Sequence, residues 1–519
     1  MKARWGLGVA VLTIIGTAVG LSVWHSQQNR LPPVEELLRQ TTEGALENRE
    51  DAFEILHKVA QHWLELGRLE ECRRTLTLME QYGGHERRRL ALATLWLQLG
   101  EVDRARQLAS QATNTDILFY HLVADGSFQK FFTALIERTS PDQAYAWVRT
   151  TPVSSELAPI NRPLLIRAFV EAAAEAGHLD FAERVLRNDK YYPEDLVRLA
   201  QAYRKHRRAD RADALLDEAV QLWRKQASLR EVLPIANALR EAGQTARAEA
   251  ILQQALQHHQ RATARQDIRQ PIEDLVDFAR VAFERGFATA ARTAIRHAVE
   301  LGKSEPKWLV YHILYARELL QDRETLALVR PVVEQLARPD QLVGFYADIG
   351  EIDSALRVYQ AHKRELKNDY QVGQTLSGAL IRAGRVAEAL ELARASSSLA
   401  YSYALAEAAR YYQAQGQVES FRKLLEDAPL AQQYNLYSAA LAGALERGDF
   451  EQARALVGEA QRTVQESWAR DRLLVDLANG YLKQGRLQEA WHTVQQIATP
   501  DFRTPLMLAL VEALRRNSS

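Results

Sequence analysis

The residues that could carry out chemistry in this chain are few and unfavourably spaced. His57 and His62 lie five positions apart, which on a helix separates them by about 140°, too far to share a metal ion. The sequence has no HExxH zinc motif, no phosphate-binding glycine loop followed by Lys-Ser or Lys-Thr, and no GxSxG nucleophile elbow. We therefore predict that the protein is not an enzyme and holds neither a metal nor a cofactor.

The composition narrows the remaining classes of function. The chain of 519 residues has 66 Lys and Arg against 66 Asp and Glu, so its formal net charge is zero. This balance disfavours nucleic-acid binding through bulk charge, and we expect no nucleic-acid partner. Hydrophobic residues make up 47% of the chain, as in a folded protein. Cys72 is the single cysteine and excludes an intramolecular disulfide.

An uncharged segment near the N-terminus predicts a membrane anchor. Residues 5–24 carry no charge and would span about 30 Å as a helix, the hydrocarbon thickness of a bilayer. Lys2 and Arg4 lie in residues 1–4, which favours a cytoplasmic N-terminus and a translocated C-terminal domain. The predicted localisation is therefore a single-pass protein of the bacterial inner membrane, with its repeat domain in the periplasm.

Two further interpretations concern the same segment. Ala18-Val19-Gly20 has the small residues of a signal-peptidase site, so a cleaved signal peptide competes with a retained anchor. Gly16 and Gly20 form a small-xxx-small pair through which two anchors would associate as a homodimer. Residues 25–34 are polar and contain two prolines, so we predict a short linker there.

An internal repeat of about 35 residues dominates the rest of the chain. Each copy has a helical stretch, a glycine, and a small residue five positions later. The glycines are Gly67, Gly100, Gly177, Gly243, Gly286, Gly350, Gly384, Gly416, Gly448 and Gly485. Five positions after them stand Cys72, Ala105, Ala182, Ala248, Ala291, Ala355, Ala389, Phe421, Ala453 and Ala490. In weaker copies Thr139, Arg207 and Gln321 take the place of the glycine.

This pattern predicts antiparallel helix hairpins. Glycine at a helix C-terminus adopts the left-handed conformation that ends the first helix. A small residue on the second helix lets the two helices pack closely. Cys72 stands at such a position, so it is interpreted as a packing residue rather than a nucleophile.

The marked positions resemble the tetratricopeptide repeat (TPR). In the segment LLVDLANGYLKQGRLQEAWHTVQQIATP, Ala478, Tyr481, Gly485 and Ala490 match its small, aromatic, glycine and alanine positions. The likeness covers roughly residues 50–500, although the family's Trp and closing Pro are mostly missing, which leaves open a neighbouring helical-repeat class. The resemblance implies an all-α fold, a right-handed α-solenoid of about twelve to thirteen hairpins preceded by one transmembrane helix.

Proline residues mark a predicted division of the chain. Residues 151–163 contain Pro152, Pro159 and Pro163 and have little periodicity, so an irregular loop is expected there. This loop would separate N-terminal helical repeats over residues 35–150 from the main repeat array over residues 164–519.

The repeat register also predicts a candidate binding strip. The first helix of each hairpin is expected to line the concave face, with residues six and three positions before each turn facing inward. In three consecutive repeats this selects Gln201, Arg204, Asn237, Arg240 and Arg280. Such a polar, positive strip would bind carboxylates of a peptide, as the resemblance to carboxylate-clamping TPR proteins implies. Ordinary polar groove lining is the alternative.

We therefore expect a membrane-anchored, TPR-like scaffold that binds proteins or peptides on its concave surface. The resemblance implies a role in cell-envelope assembly, secretion or export. A cytoplasm-facing, membrane-tethered adaptor that recruits soluble enzymes is one alternative. The helical arm of a cell-wall enzyme is another, disfavoured because the repeats run almost to residue 500.

Overall fold

The computed structural model describes residues 31–47, 51–82, 86–113, 125–153, 158–189, 191–226, 228–263 and 269–518. Within these ranges every regular element is an α-helix or a short 3-10 helix. Many consecutive helices pack as pairs, among them α2 with α3, α10 with α11 and α27 with α28 in the numbering given below. The predicted all-helical repeat of hairpins is therefore confirmed.

The helices are α1 (Val34–Glu47), α2 (Ala52–Glu65), α3 (Leu69–Glu80), α4 (Glu86–Gln98), α5 (Val102–Thr113), α6 (Ser127–Arg138), α7 (Pro141–Thr150), α8 (Ala158–Glu175), α9 (Leu179–Arg187), α10 (Pro193–Lys205), α11 (Ala209–Gln226), α12 (Leu229–Glu241), α13 (Thr245–Thr263), α14 (Arg269–Glu284), α15 (Ala288–Gly302), α16 (Pro306–Tyr315), α17 (Arg323–Leu336), α18 (Pro339–Asp348), α19 (Ile352–Ala361), α20 (Lys363–Leu366), α21 (Tyr370–Arg382), α22 (Val386–Ser396), α23 (Ser398–Ala414), α24 (Val418–Asp427), α25 (Gln433–Glu446), α26 (Phe450–Thr463), α27 (Ser467–Lys483), α28 (Leu487–Val494) and α29 (Pro500–Ser518). Short 3-10 helices cover Arg317–Gln321 and Leu430–Gln432.

A left-handed glycine ends the first helix of most pairs. At the turn between α12 and α13, the N–H of Gly243 donates to the carbonyl of Arg240 (2.8 Å) and the N–H of Gln244 donates to the carbonyl of Leu239 (2.8 Å). These are the two hydrogen bonds of a Schellman motif, which satisfies carbonyls left open at the helix end. All ten glycines of the repeat have φ between 69° and 89°.

Arg207 adopts the same conformation without being glycine. Its φ is 62°, the single positive φ of a non-glycine residue in the described part of the chain. Arg207 occupies the turn position at which the other repeats have glycine. The turn therefore keeps the same backbone conformation, although a residue with a side chain is strained in it. The other two weak copies differ, because Thr139 has φ −129° and Gln321 lies in a 3-10 helix.

The residues five positions after the turns lie in the core. Each of the eight alanines and Cys72 is buried, with no exposed side-chain surface, and Phe421 is buried as well. Small side chains here bring the second helix of each pair close to the first, which allows the larger apolar residues of both helices to interlock.

The chain divides into two compact units whose limits differ from the predicted ones. One unit holds residues up to Gly83 together with Leu405–Ser519, and the other holds Gly84–Ala404. The predicted irregular loop over residues 151–163 is shorter than expected, because α8 begins at Ala158 and contains Pro163 within it. No unit boundary falls there.

In the unit that holds residues 31–82 and 405–518, the first described helices pack against the last one. Helix α29 packs on α1 and α2, where Lys58 forms an ion pair with Glu512 (3.1 Å). Leu37 and Leu510 are both buried, with no exposed surface. The final helix therefore has an apolar face covered by the first hairpin.

No helix among the described residues is long and apolar enough to cross a membrane. This finding corrects the predicted fold class, which placed a transmembrane helix before the repeats, and the predicted localisation as a single-pass membrane protein. Residues 5–24, together with Gly16 and Gly20 of the predicted homodimer contact, lie outside the described residues.

Two helical glycines of one unit make a matched test of close packing. A Cβ added at Gly443 in α25 would lie 2.4 Å from the carbonyl oxygen of Arg410 and 3.0 Å from the nitrogen of Ala414, whereas one added at Gly458 in α26 would meet nothing within 4 Å. Gly443→Ala is therefore expected to lower the free energy of unfolding by about 1–3 kcal/mol. Gly458→Ala is expected to raise it by about 0.5–1 kcal/mol, because alanine is the better helix former. Urea unfolding followed by circular dichroism measures both, and equal effects of the two variants would contradict the close crossing at Gly443.

The strain at Arg207 makes a second prediction. Arg207→Gly is expected to raise the free energy of unfolding by about 1 kcal/mol, because glycine adopts positive φ without steric cost. Gly243→Ala is expected to lower it by a similar amount, and since nothing lies within 4 Å of a Cβ there, that loss reports backbone strain alone. Thermal unfolding of both variants checks this. If Arg207→Gly instead lowers the free energy of unfolding, interactions of the arginine side chain stabilise the protein by more than the backbone strain destabilises it.

Candidate functional site

A groove runs along the first helices of three consecutive hairpins. Its volume is about 260 Å³. It is lined from α6 by Gln129, from α8 by Arg167, Val170, Glu171, Ala174 and Glu175, from α9 by Leu186, and from α10 by Asp195, Arg198, Leu199, Gln201, Ala202 and Lys205. Most of the lining comes from first helices, and Gln201 is the one residue of the predicted strip among the lining residues.

The floor of this groove is apolar and its rim is charged. Val170, Ala174 and Leu199 are buried, and Ala202 is half-buried between them and solvent. On the rim, Arg198 forms ion pairs with Glu171 and Glu194, so these charges largely compensate one another. The arrangement suits an apolar side chain inserted between neutralised polar edges.

Asp195 anchors the start of α10 beneath the groove. Its carboxylate accepts a hydrogen bond from the backbone N–H of Tyr192 (2.7 Å) and lies 3.3 Å from the Nε of Arg167. Burial raises the pKa of this carboxyl, and the opposing effect of Arg167 is smaller. Arg167 also lies over the Tyr192 ring at 4.6 Å, so the two hairpins are tied together at this edge.

A polar network joins α10 to α9 and α11 beside the groove. The hydroxyl of Tyr203 donates to Glu183 of α9 (2.9 Å), and Arg187 donates to the same carboxylate (2.8 Å). Arg211 of the next helix completes the set. Burial alone would raise the pKa of Glu183, but the hydrogen bonds from Arg211, Arg187 and Tyr203 outweigh it and lower the pKa to about 2.

The structure brings three residues of the predicted strip into one hydrogen-bonded chain. Gln201 donates to Glu241 (3.2 Å), Asn237 donates to the same carboxylate (2.7 Å), and Arg240 donates to the Asn237 side-chain oxygen (2.9 Å). Arg240 also lies over the ring of Phe287 at 4.5 Å. Glu241 thus already occupies the amide groups that a bound carboxylate would use.

The other two residues of the predicted strip are paired separately. Arg204 forms an ion pair with Asp213, and Arg280 forms one with Glu284 of its own helix (3.1 Å). The strip is therefore less positive than its sequence indicates, because Asp213 and Glu284 compensate two of its three arginines.

Sequence reasoning missed most of the groove, although a signal for it was present. Glu171 stands six positions before Gly177, the same register that selected Gln201. Val170 and Ala174 lie near Glu171 on the same helix. The groove floor is formed by residues of two neighbouring hairpins, so the sequence of a single repeat does not reveal it.

Cys72 and His62, two residues whose side chains could carry out chemistry, lie partly or wholly buried between packed helices. Burial raises the pKa of the Cys72 thiol to about 11, which disfavours a thiolate nucleophile at neutral pH. His62 lies 2.6 Å from Arg515 of α29, and burial lowers its pKa. Among the described residues no group of His, Cys, Asp and Glu is arranged to hold a metal ion.

Comparisons with known proteins give weak structural likeness alone. No protein-family model and no curated protein matches the chain. It is similar to the structure of Naa15/Naa10 bound to HypK-THB, with 14% identity, coverage of 90% of this chain and 73% of that chain, and a TM-score of 0.31. The maize pentatricopeptide repeat protein PPR10 is 12% identical, with coverage of 93% of this chain and 90% of that chain and a TM-score of 0.26. Yeast Tom70 is also 12% identical, with coverage of 86% of this chain and 100% of that chain and a TM-score of 0.26. Likeness at this level assigns neither a family nor a function.

The network at Glu183 predicts an acid-dependent loss of stability. Because its pKa is lower in the folded protein than the ordinary 4.5, its contribution is present above about pH 4.5 and is lost as the pH falls toward 2. Glu183→Gln is expected to lower the free energy of unfolding at pH 7 by about 1–3 kcal/mol, since Arg211 and Arg187 lose a charged acceptor.

Unfolding of both proteins at a series of pH values checks this expectation. The difference between wild type and Glu183→Gln should shrink as the pH falls below 4.5. Glu419→Gln serves as the control, because that carboxylate is 85% exposed in its pair with Arg422 and should contribute little. A pH-independent difference for Glu183→Gln would exclude the assigned network.

Proposed function

We propose that this protein is a non-catalytic, helical-repeat scaffold that binds a segment of a partner protein. The groove between α8 and α10 receives an apolar side chain of that segment. The observation that carries the proposal is the groove itself, an apolar floor with a charge-compensated rim on the first-helix face.

The size of the groove favours a side chain over a small-molecule cofactor. Small-molecule pockets commonly enclose about 300–1,000 Å³, whereas a cavity of about 150 Å³ holds a benzene ring. A volume of about 260 Å³ falls between these values. It suits one large apolar side chain with part of its neighbour.

The partner segment continues from the groove along the predicted strip. Gln201 belongs to both, and its amide leads through Glu241 to Asn237 and Arg240. The amide groups bind the peptide backbone, and a carboxylate of the partner binds here by displacing Glu241. The predicted roles in envelope assembly, secretion or export and as a membrane-tethered adaptor depended on a membrane anchor, which no described helix provides.

Filling the groove tests this proposal. Peptides are first selected from a random phage-displayed library against the full chain. Their binding to Ala202→Phe is then measured by fluorescence polarisation. Because the added ring occupies the apolar floor, the dissociation constants should rise by at least about tenfold. Ala202 is half-buried, so the fold should accommodate the ring, which circular dichroism verifies.

Ala146→Phe is the matched control, since it adds the same ring at an exposed position of a second helix. It should bind the selected peptides as wild type does. If the library yields no binder, or if Ala202→Phe binds the selected peptides normally, the groove is not the binding site.

A further inference from the structure

A second pocket lies where α1 meets α28 and α29. Its volume is about 520 Å³, twice the 260 Å³ of the groove between α8 and α10. The three helices belong to one compact unit. The helix α1 contributes Glu43 and Glu47 to the lining, α28 contributes Trp491, and α29 contributes Arg503 and Met507. We call this cavity the α1–α29 pocket.

A close helix crossing fixes the two main walls of the α1–α29 pocket. A Cβ added at Gly44 of α1 would lie 2.4 Å from the hydroxyl oxygen of Thr504 on α29, so glycine is needed for the two helices to approach this closely. Glu43 and Glu47 lie on either side of Gly44 along α1, and Arg503 directly precedes Thr504. The acidic wall and the basic wall therefore meet at this crossing.

The charges on these walls are not neutralised within the described part of the chain. The Arg503 side chain is half-buried, yet it forms no ion pair or hydrogen bond with a described residue. The same holds for the side chains of Glu43 and Glu47, which are exposed. The pocket therefore offers a cation on one wall and two anions on the other.

The ends of the two helices reinforce this separation of charge. Glu43 and Glu47 lie toward the C-terminal end of α1, where the helix dipole favours a bound cation. Arg503 lies near the N-terminal end of α29, which begins at Pro500, and there the dipole favours a bound anion. Asp501 of the same turn does not line the pocket. A ligand with opposite charges at its two ends is therefore favoured in one orientation.

The remaining lining includes buried apolar surface and one unsatisfied donor. Trp491 is 6% exposed and Met507 4%. The indole N–H of Trp491 has no hydrogen-bond partner among the described residues. A buried donor without an acceptor is costly, and a ligand oxygen that reached it at this wall would remove that cost.

We propose that the α1–α29 pocket binds a basic residue, lysine or arginine, whose carboxyl group is free. The carboxylate pairs with Arg503, and the cationic end of the side chain pairs with Glu43 and Glu47. The methylene stem packs on Trp491 and Met507. A volume of about 520 Å³ is large enough for a whole residue, because small-molecule pockets commonly enclose about 300–1,000 Å³. A free amino acid and the last residue of a peptide share this chemistry.

Ligands with a single kind of charge match the α1–α29 pocket less well. A polyamine would leave Arg503 unpaired beside its own positive charge, and a phosphate would meet the negative charges of Glu43 and Glu47. For a metal ion, the described residues offer no suitable group of His, Cys, Asp and Glu. The pocket shares no residue with the groove between α8 and α10, so this inference goes beyond the proposed function and does not rest on it.

Three related compounds test the proposal by isothermal titration calorimetry with the full chain. Nα-acetyl-lysine carries both charges, its carboxamide lacks the carboxylate, and Nα-acetyl-norleucine lacks the ammonium group. We expect the first to bind and each of the others to bind at least about fivefold more weakly, because each loses one charge-assisted contact. Tighter binding of Nα-acetyl-alanyl-lysine than of free lysine indicates a peptide C-terminus as the source, and the reverse order indicates the amino acid.

Arg503→Gln removes the cation that pairs with the carboxylate. In this variant Nα-acetyl-lysine and its carboxamide should bind equally, because the contact that distinguishes them is gone. Thermal stability should not fall, since no described residue pairs with this side chain. Arg454→Gln is the matched control: its side chain is 67% exposed on α26 of the same unit, and it should bind all three compounds as wild type does.

Three results would overturn the proposal. They are equal binding of the three compounds by wild type, absence of binding at about 10 mM Nα-acetyl-lysine, and a preference for the free carboxylate that persists in Arg503→Gln. Ala202→Phe should bind Nα-acetyl-lysine as wild type does, so failure of the groove proposal leaves this result unaffected.

Discussion

The packing of each helix pair depends on a left-handed residue at the end of its first helix and a buried small residue five positions later. The turn reverses the chain within about three residues, and the small side chain sets how close the second helix comes. Cys72 and Ala105 illustrate the second requirement, since each is fully buried at an equivalent position. Arg207 illustrates the first, because it takes φ 62° against its own steric preference. The packing of neighbouring hairpins therefore outweighs local strain at that turn.

Charge compensation is the second constraint on this protein. Arginines on the first helices are paired within the chain, as Arg198 is with Glu171 and Arg280 with Glu284. Pairs of this kind are weak at exposed positions, but those of Arg204 and Arg280 reduce the positive charge that the sequence of the strip indicates. The surface of these first helices is therefore less positive than its arginine content indicates.

The groove and the exposed tyrosines of α16 show two surfaces that a first helix can present. At the groove, small residues such as Ala174 and Ala202 leave a depression between neighbouring hairpins. On α16, Tyr311 and Tyr315 project instead as a ridge. The same repeat register can produce a pocket or a platform, because only the size of a few outward residues changes while the helix pair stays the same.

The sequence by itself determined the turn positions and the helix pairing, because a left-handed turn residue and a small packing residue are local requirements visible in one repeat. Even there, Thr139 and Gln321 stood at turn positions without adopting the glycine conformation. Pro163 indicated a loop but lies inside α8, since the apolar face of that helix is stabilised by its neighbours.

Only the tertiary structure decided which surfaces are available. The groove combines residues of three hairpins, and the chain of Gln201, Glu241, Asn237 and Arg240 depends on the side chains of neighbouring helices meeting. The packing of α29 on α1 joins segments more than four hundred residues apart. Contacts of such sequence separation leave no periodic signal, because each depends on where the stacked hairpins place a residue rather than on its position within one repeat.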